Sequence, residues 1–178
     1  MQKKTTSFST KAAFICCLFT IIASCGYSFS PQGDYIDKRI RNIYVEQFSN
    51  KTSQVEVENY VRTAFIDQFI QTSRFKIVES AETADATIKG SVLNLSTNSL
   101  SYRATTLAAE ERATMTLEVA FRERESGKDI WKSPGITGTI DYTVESDVNL
   151  QASTRRTAFI KLANDTAEKT FNQMMSGF

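Results

Sequence analysis

Two stretches of this chain alternate so strictly that they decide much of what it can fold into. Ala113, Met115, Leu117, Val119 and Phe121 are interleaved with Thr114, Thr116, Glu118, Ala120 and Arg122. Ile136, Gly138, Ile140, Tyr142 and Val144 are interleaved in the same way with Thr137, Thr139, Asp141, Thr143 and Glu145. Successive side chains of a strand point to opposite faces, so each stretch is a strand with one dry face and one wet face. Glu125-Ser126-Gly127-Lys128 lies between them and reads as the turn of a long antiparallel hairpin. Ser133-Pro134-Gly135 interrupts the second arm. Proline has no N–H to donate, which predicts a kink or bulge there and an edge position for that arm. The dry face must be covered by another part of the chain.

Two amphipathic helices supply the cover. Val57, Tyr60, Val61, Ala64, Phe65 and Phe69 recur at helical spacing and predict a helix running to about Thr72. Ser53-Gln54-Val55-Glu56 in front of it has the form of a capping box. Ala152, Phe159, Leu162, Ala163, Ala167, Phe171 and Met174 predict a second helix from about Leu150 to near Met175. Ile40 to Phe48, Arg74 to Glu79 and Ala84 to Leu95 read as further strands, the last with a bulge near Gly90 to Asn94. Asn98 to Glu110 has no clear period and is expected to be a loop, or two frayed strand ends meeting. The order is β-α-β-β-β-β-α. The expected fold is α+β: a two-layer sandwich with both helices on one face of a mixed four- to five-stranded sheet. The other sheet face, rich in Thr, Glu and Arg, is left for water or a partner.

The N-terminus has a different character. Met1 to Lys11 is polar and basic, and Ala12 to Ala23 is apolar apart from Thr20. That is the layout of a signal peptide, and the run is too short for a bilayer-spanning helix. Ile22-Ala23-Ser24-Cys25 closes it in the form of a lipobox: an aliphatic residue, two small ones and a cysteine. Residues 1–24 are expected to be removed and Cys25 to be acylated. Residues 25–38, with Pro31 and Gly33, form a tether, and residues 39–178 form one domain. Plain secretion is the alternative, since Ala23 and Ser24 also suit an ordinary signal peptidase.

Composition excludes much of catalysis. The chain has no histidine, which removes Ser-His-Asp and Cys-His pairs and His-ligated zinc. Its three cysteines are Cys16, Cys17 and Cys25, so nothing beyond the lipobox can form a disulfide or act as a thiol nucleophile. Lys3, Lys4 and Lys11 are the cations of the first 24 residues, which leaves 21 − 3 = 18 cations against 20 acids, a net −2, in the remainder. A slightly acidic domain is a poor general nucleic-acid binder. No enzyme activity, metal or cofactor is expected. One candidate surface remains: Arg103, Arg112, Arg122, Arg124, Lys128 and Lys132 lie in or beside the loop and hairpin. Arg112, Arg122 and Arg124 share the polar parity of their strand. Guanidinium groups in that setting suit phosphate or carboxylate recognition. The plainer reading is that Glu118, Glu123, Glu125 and Asp129 pair with them on a wet face.

Several blocks, taken in order, resemble the LptE family of lipopolysaccharide (LPS)-assembly lipoproteins. They are Ser24-Cys25-Gly26-Tyr27-Ser28-Phe29, Ile43-Tyr44-Val45-Glu46-Gln47-Phe48 with Asn50 and Thr52, and Glu56-Val57-Glu58 at the helix start. Arg74-Phe75-Lys76-Ile77-Val78, Ala84-Asp85-Ala86-Thr87-Ile88-Lys89-Gly90, and the late Leu150 and Leu162-Ala163 complete the series. The resemblance implies a two-layer sandwich anchored in the inner leaflet of a Gram-negative outer membrane. It implies an LptD-type β-barrel partner that the lipoprotein plugs, and LPS as ligand. By approximate position it places LPS contact at Arg103, Arg112 and Lys132. The alternative is a lipoprotein that activates a cell-wall synthase or belongs to a secretion pore, whose strand, capped helix, strand layout is similar to Ile43 to Glu79.

Overall fold

The structure, a computed structural model, describes residues 35–72, 74–104 and 107–177, without the side chains of residues 102–104 and 107–109. Strands β1 (Asn42–Val45) and β2 (Ser49–Asn50) precede helix α1 (Val57–Ile70). Strand β3 (Lys76–Ile77) and a single 3-10 turn at Ala81–Thr83 follow. Three long strands come next, β4 (Ala86–Ala104), β5 (Leu107–Glu123) and β6 (Asp129–Thr143), and helix α2 (Val148–Ser176) ends the described chain. The sheet order is β3-β1-β4-β5-β6, with β2 also paired to β4. The pairings among β1, β2, β3 and β4 are parallel, while β4–β5 and β5–β6 are antiparallel. This is the expected mixed α+β sandwich. It has six strands because β2 resumes pairing with β4 after Gln47 and Phe48 leave the ladder.

The alternating residues do what their parity predicts. Ala113, Met115, Leu117, Val119 and Phe121 are buried, and Ile88 and Val92 of β4 pair with Phe121 and Leu117 on the same face. Both helices cover that face. Phe69 of α1 is the junction of the layers, with ring centroids 5.1 Å from Phe171 of α2, 5.5 Å from Phe75 and 6.4 Å from Phe121. Two glycines permit close approaches, one between sheet and helix and one within the sheet. A Cβ on Gly138 would lie 2.1 Å from Thr166 Oγ1 of α2, and one on Gly90 would lie 2.3 Å from the Glu118 carbonyl oxygen and 2.7 Å from Phe48 Cε1.

Three local expectations are corrected or narrowed. The capping box does not form: α1 begins at Val57, and Glu56 before it has φ 67° and no side-chain cap. Asn50 organises the approach instead. Its Oδ1 accepts from Thr52 N (2.9 Å) and Thr52 Oγ1 (2.8 Å), and its Nδ2 donates to Gln54 O (2.7 Å) and Glu58 Oε2 (2.8 Å). The helix starts where the first core residue, Val57, enters the interior, whereas Val55 is 71% exposed. For Asn98 to Glu110 the loop reading gives way to its alternative, two strand ends that meet: β4 and β5 run on through most of it, with register shifts at Ser99/Ser101, Ser101/Tyr102 and Tyr102/Ala104. Arg74 to Glu79 keeps only two residues of strand, Lys76 and Ile77.

The edges are handled differently. β6 is an edge strand with a register shift at Leu117/Val119, where Ser133-Pro134-Gly135 bulges out, as expected. Lys169 of α2 donates to the Thr137 carbonyl (2.9 Å), which blunts an exposed ladder. Residues grouped with the tether from the sequence already pack on the domain: Ile36 is buried, Arg74 Nη2 donates to its carbonyl (2.6 Å), and the Tyr35 hydroxyl donates to Met174 O. No helix among the described residues is long and apolar enough to cross a membrane.

Candidate functional site

The face of β4–β5–β6 opposite the helices is the candidate. Register assigns it row by row: Asn98, Arg112 and Asp141 at one end, Ser96, Thr114 and Thr139 next, then Asn94, Thr116 and Thr137. Lys89, Ala120 and Lys132 form a row at the other end, beside Thr87, Arg122 and Asp129. The centre is a field of short hydroxyl and amide groups, with Thr116 Oγ1 and Thr137 Oγ1 3.2 Å apart. Charge is confined to the two ends.

At the first end Arg112 grips Asp141 in a bidentate pair, Nε to Oδ1 and Nη2 to Oδ2, both 2.7 Å. The hydrogen bonds to Asp141 raise the pKa of Arg112 and lower that of Asp141. At the other end Arg122 Nε donates to Asp129 Oδ1 (2.8 Å), and Lys132 Nζ sits 3.9 Å from Glu118 Oε1. Here Lys89, Ala120, Arg122, Lys132, Glu46 and Glu118 line a shallow cavity of about 250 Å³. Alanine between two lysines leaves its floor low.

Pairing within the face follows the plainer reading at Arg122 and Lys132. Arg112 instead finds Asp141, which lies across the strand in the β5–β6 register. Arg124 holds the backbone together, since its Nε donates to the Ala84 carbonyl (2.6 Å). Arg112 and Lys132 are not brought together. Eight residues of β5 separate Arg112 from Ala120, the neighbour of Lys132, which is about 27 Å at ~3.4 Å per residue. Arg103 falls on β4 near the β4–β5 turn, and its side chain lies outside the described residues, as does all of Cys25. Sequence reasoning misses Lys89, although its odd parity between Ile88 and Gly90 already puts it on the wet face.

The helix-side face holds a second polar group. The Tyr142 hydroxyl donates to Glu111 Oε2, and burial together with that carboxylate pushes the phenol pKa up. Trp131 is 8% exposed and covers the β6 side of the core opposite Phe121. Among the described residues no group of acidic or thiol side chains could hold a metal.

Comparison with known proteins fits this geometry. The described fold is similar to an uncharacterised lipoprotein B from Nitrosomonas europaea, with a TM-score of 0.54, 12% identity, and coverage of 85% of this chain and 92% of that one. It is also similar to a lipoprotein of unassigned role from Caulobacter crescentus CB15, with a TM-score of 0.52, 10% identity, and coverage of 74% and 89%. At these identities the likeness establishes the fold alone. No curated protein matches the sequence. The family model for LptE, lipopolysaccharide-assembly, matches residues 40–174, from the strand before α1 to the last turn of α2. With well over half of its length matched, the chain belongs to the LptE family of lipopolysaccharide-assembly proteins.

Proposed function

We propose that this chain is an acylated outer-membrane lipoprotein that seats in an LptD-type β-barrel and helps deliver LPS to the cell surface. The observation that carries the proposal is the family match over residues 40–174. In this reading residues 1–24 are a signal peptide, Cys25 carries the lipid, and the tether that follows it ends where Tyr35 and Ile36 pack on the working domain. The role is binding and assembly, without catalysis.

The open sheet face suits such a role. A barrel lumen and the sugar and phosphate groups of LPS are both polar, and this face offers hydroxyl and amide groups between two charged ends. Arg112 and Lys132 are the proposed LPS contacts there, with Arg103 nearer the β4–β5 turn. A guanidinium that holds a carboxylate in a bidentate, solvent-exposed pair can exchange it for a phosphate oxygen pair of the same geometry. Arg112 and Asp141 are each about half exposed, so the exchange breaks no buried interaction. The test is affinity capture of the tagged lipoprotein from detergent-solubilised membranes. A large β-barrel should come with it; capture of the acylated protein with no barrel refutes the proposal.

A further inference from the structure

The charged groups around the low floor at Ala120 are not used up by one another. Register surrounds that alanine: Lys89 lies across on β4, Lys132 across on β6, and Glu118 and Arg122 two residues away along β5. Strands lie about 4.8 Å apart, so the two lysines stand roughly 10 Å apart at the backbone with a methyl group between them. Ala120 shares the wet face with Glu118 and Arg122 and is still only 8% exposed, because the side chains around it rise above it. Glu46, Gln47 and Ser49 form the wall on the β1–β2 side. The pairing among these groups is loose. Arg122 gives Asp129 its Nε, a bond that lowers the pKa of that carboxyl with lesser help from Lys132 and Lys89. Lys132 Nζ stands 3.9 Å from Glu118 Oε1, too far for a hydrogen bond. Among the described residues Lys89 and Glu46 are in no ion pair.

Lys89, Arg122 and Lys132 stand against Glu46, Glu118 and Asp129, so neither a bare anion nor a bare cation gains from the whole set. A group that carries both charges does. A phosphate over the Ala120 methyl would meet a lysine on either side. An ammonium two methylene groups further on would take Glu118, whose contact to Lys132 is already open. That ammonium has to be a primary one. Quaternary ammonium groups are held by aromatic cages, and among the described residues no aromatic ring lines this cavity. Carboxylates instead hold N–H donors through charge-assisted hydrogen bonds. The volume of about 250 Å³ suits a headgroup of that size. We propose that the cavity at Ala120 binds the phosphoethanolamine group of a lipid or glycolipid, with its phosphate on Lys89 and Lys132 and its ammonium on Glu118. This narrows the reading of Lys132 as an LPS contact to one headgroup chemistry, and it rests on that reading for the glycolipid source alone.

The test uses the full-length protein purified from membranes in a maltoside detergent, with the methyl carbon of Ala120 labelled and its resonance followed. Phosphoethanolamine should shift that resonance saturably and bind about fivefold more tightly than phosphocholine or inorganic phosphate, the worth of one hydrogen bond. Glu118→Gln should erase that preference, and Lys89→Gln should weaken all three ligands, with the urea midpoint unchanged in both variants. Equal binding of phosphocholine and phosphoethanolamine overturns the proposal, and so does a resonance that none of the three shifts. Two further arms separate the sources. Bicelles of phosphatidylethanolamine, or LPS that carries phosphoethanolamine, should displace the free headgroup, and displacement by neither overturns the proposal. Capture of LPS by a protein whose Ala120 resonance no headgroup shifts overturns this inference and leaves the LPS reading intact. Displacement by phosphatidylethanolamine from a protein that captures no LPS supports the site and overturns the LPS reading.

Discussion

Replacing Gly138 by alanine tests how the helix layer is seated on the sheet. The new Cβ would meet Thr166 Oγ1 at 2.1 Å, Thr166 Cβ at 3.2 Å and Leu162 Cδ1 at 3.3 Å. Thr166 cannot simply turn away: it is fully buried, and its Oγ1 donates to the Leu162 carbonyl at 2.6 Å. Either that bond breaks or α2 lifts from β6, and overpacking of this kind costs about 1–3 kcal/mol. Thr166→Ala removes the obstructing oxygen along with its own hydrogen bond and should cost about 1 kcal/mol alone. In the double variant the alanine methyl occupies the vacated space, so the pair should be less destabilised than the sum by at least about 1 kcal/mol. Urea denaturation reads this as a lower midpoint with an unchanged slope for each single variant. Additive losses, or a Gly138→Ala variant as stable as the parent, would refute the close seating of α2 on β6.

Asp85 should make stability depend on acid. Its Oδ2 accepts from the backbone N–H groups of Asn42 (2.7 Å) and Arg41 (3.0 Å), and these bonds hold its carboxyl below the usual carboxylate range. A lowered folded-state pKa contributes stability that is present above the unfolded value of about 3.9 and is lost as pH falls through the folded value. Asp85→Ala should therefore cost about 1 kcal/mol near neutrality, with the gap to the parent closing in acid; urea midpoints across pH check it. Asn50→Ala removes four hydrogen bonds at the approach to α1 and should cost about 1–2 kcal/mol, read from the thermal midpoint. Arg112→Ala and Lys132→Ala sit on an exposed face and should leave the melting temperature unchanged while weakening LPS binding in a pull-down. A loss of fold instead would make them structural.

The layer arrangement is legible in the sequence because the core residues recur in periods. Met115, Leu117, Val119 and Phe121 name one sheet face, and Phe159, Leu162, Phe171 and Met174 name one helix face. Signals fail where burial is absent on both sides. The stretch from Asn98 to Ser101 covers no core, so its side chains carry no alternation and only backbone pairing makes it a strand. The start of α1 is misread because Ser53 and Glu56 satisfy a local rule that loses to Asn50, whose four bonds fix the turn first. On the open face the parity of Arg112 is readable, but its partner is not. Asp141 becomes its neighbour only through the β5–β6 register, set by the bulge at Pro134. Tyr142 and Glu111 likewise meet only through that register.

The most direct measurement of the central claim is controlled depletion of the protein in its own cells, followed by labelling of surface LPS. Surface LPS should fall while LPS accumulates inside the envelope, and a version carrying Cys25→Ala should fail to restore it. Unchanged surface LPS accompanied by altered peptidoglycan cross-linking would contradict a role in LPS assembly and point to activation of a cell-wall synthase.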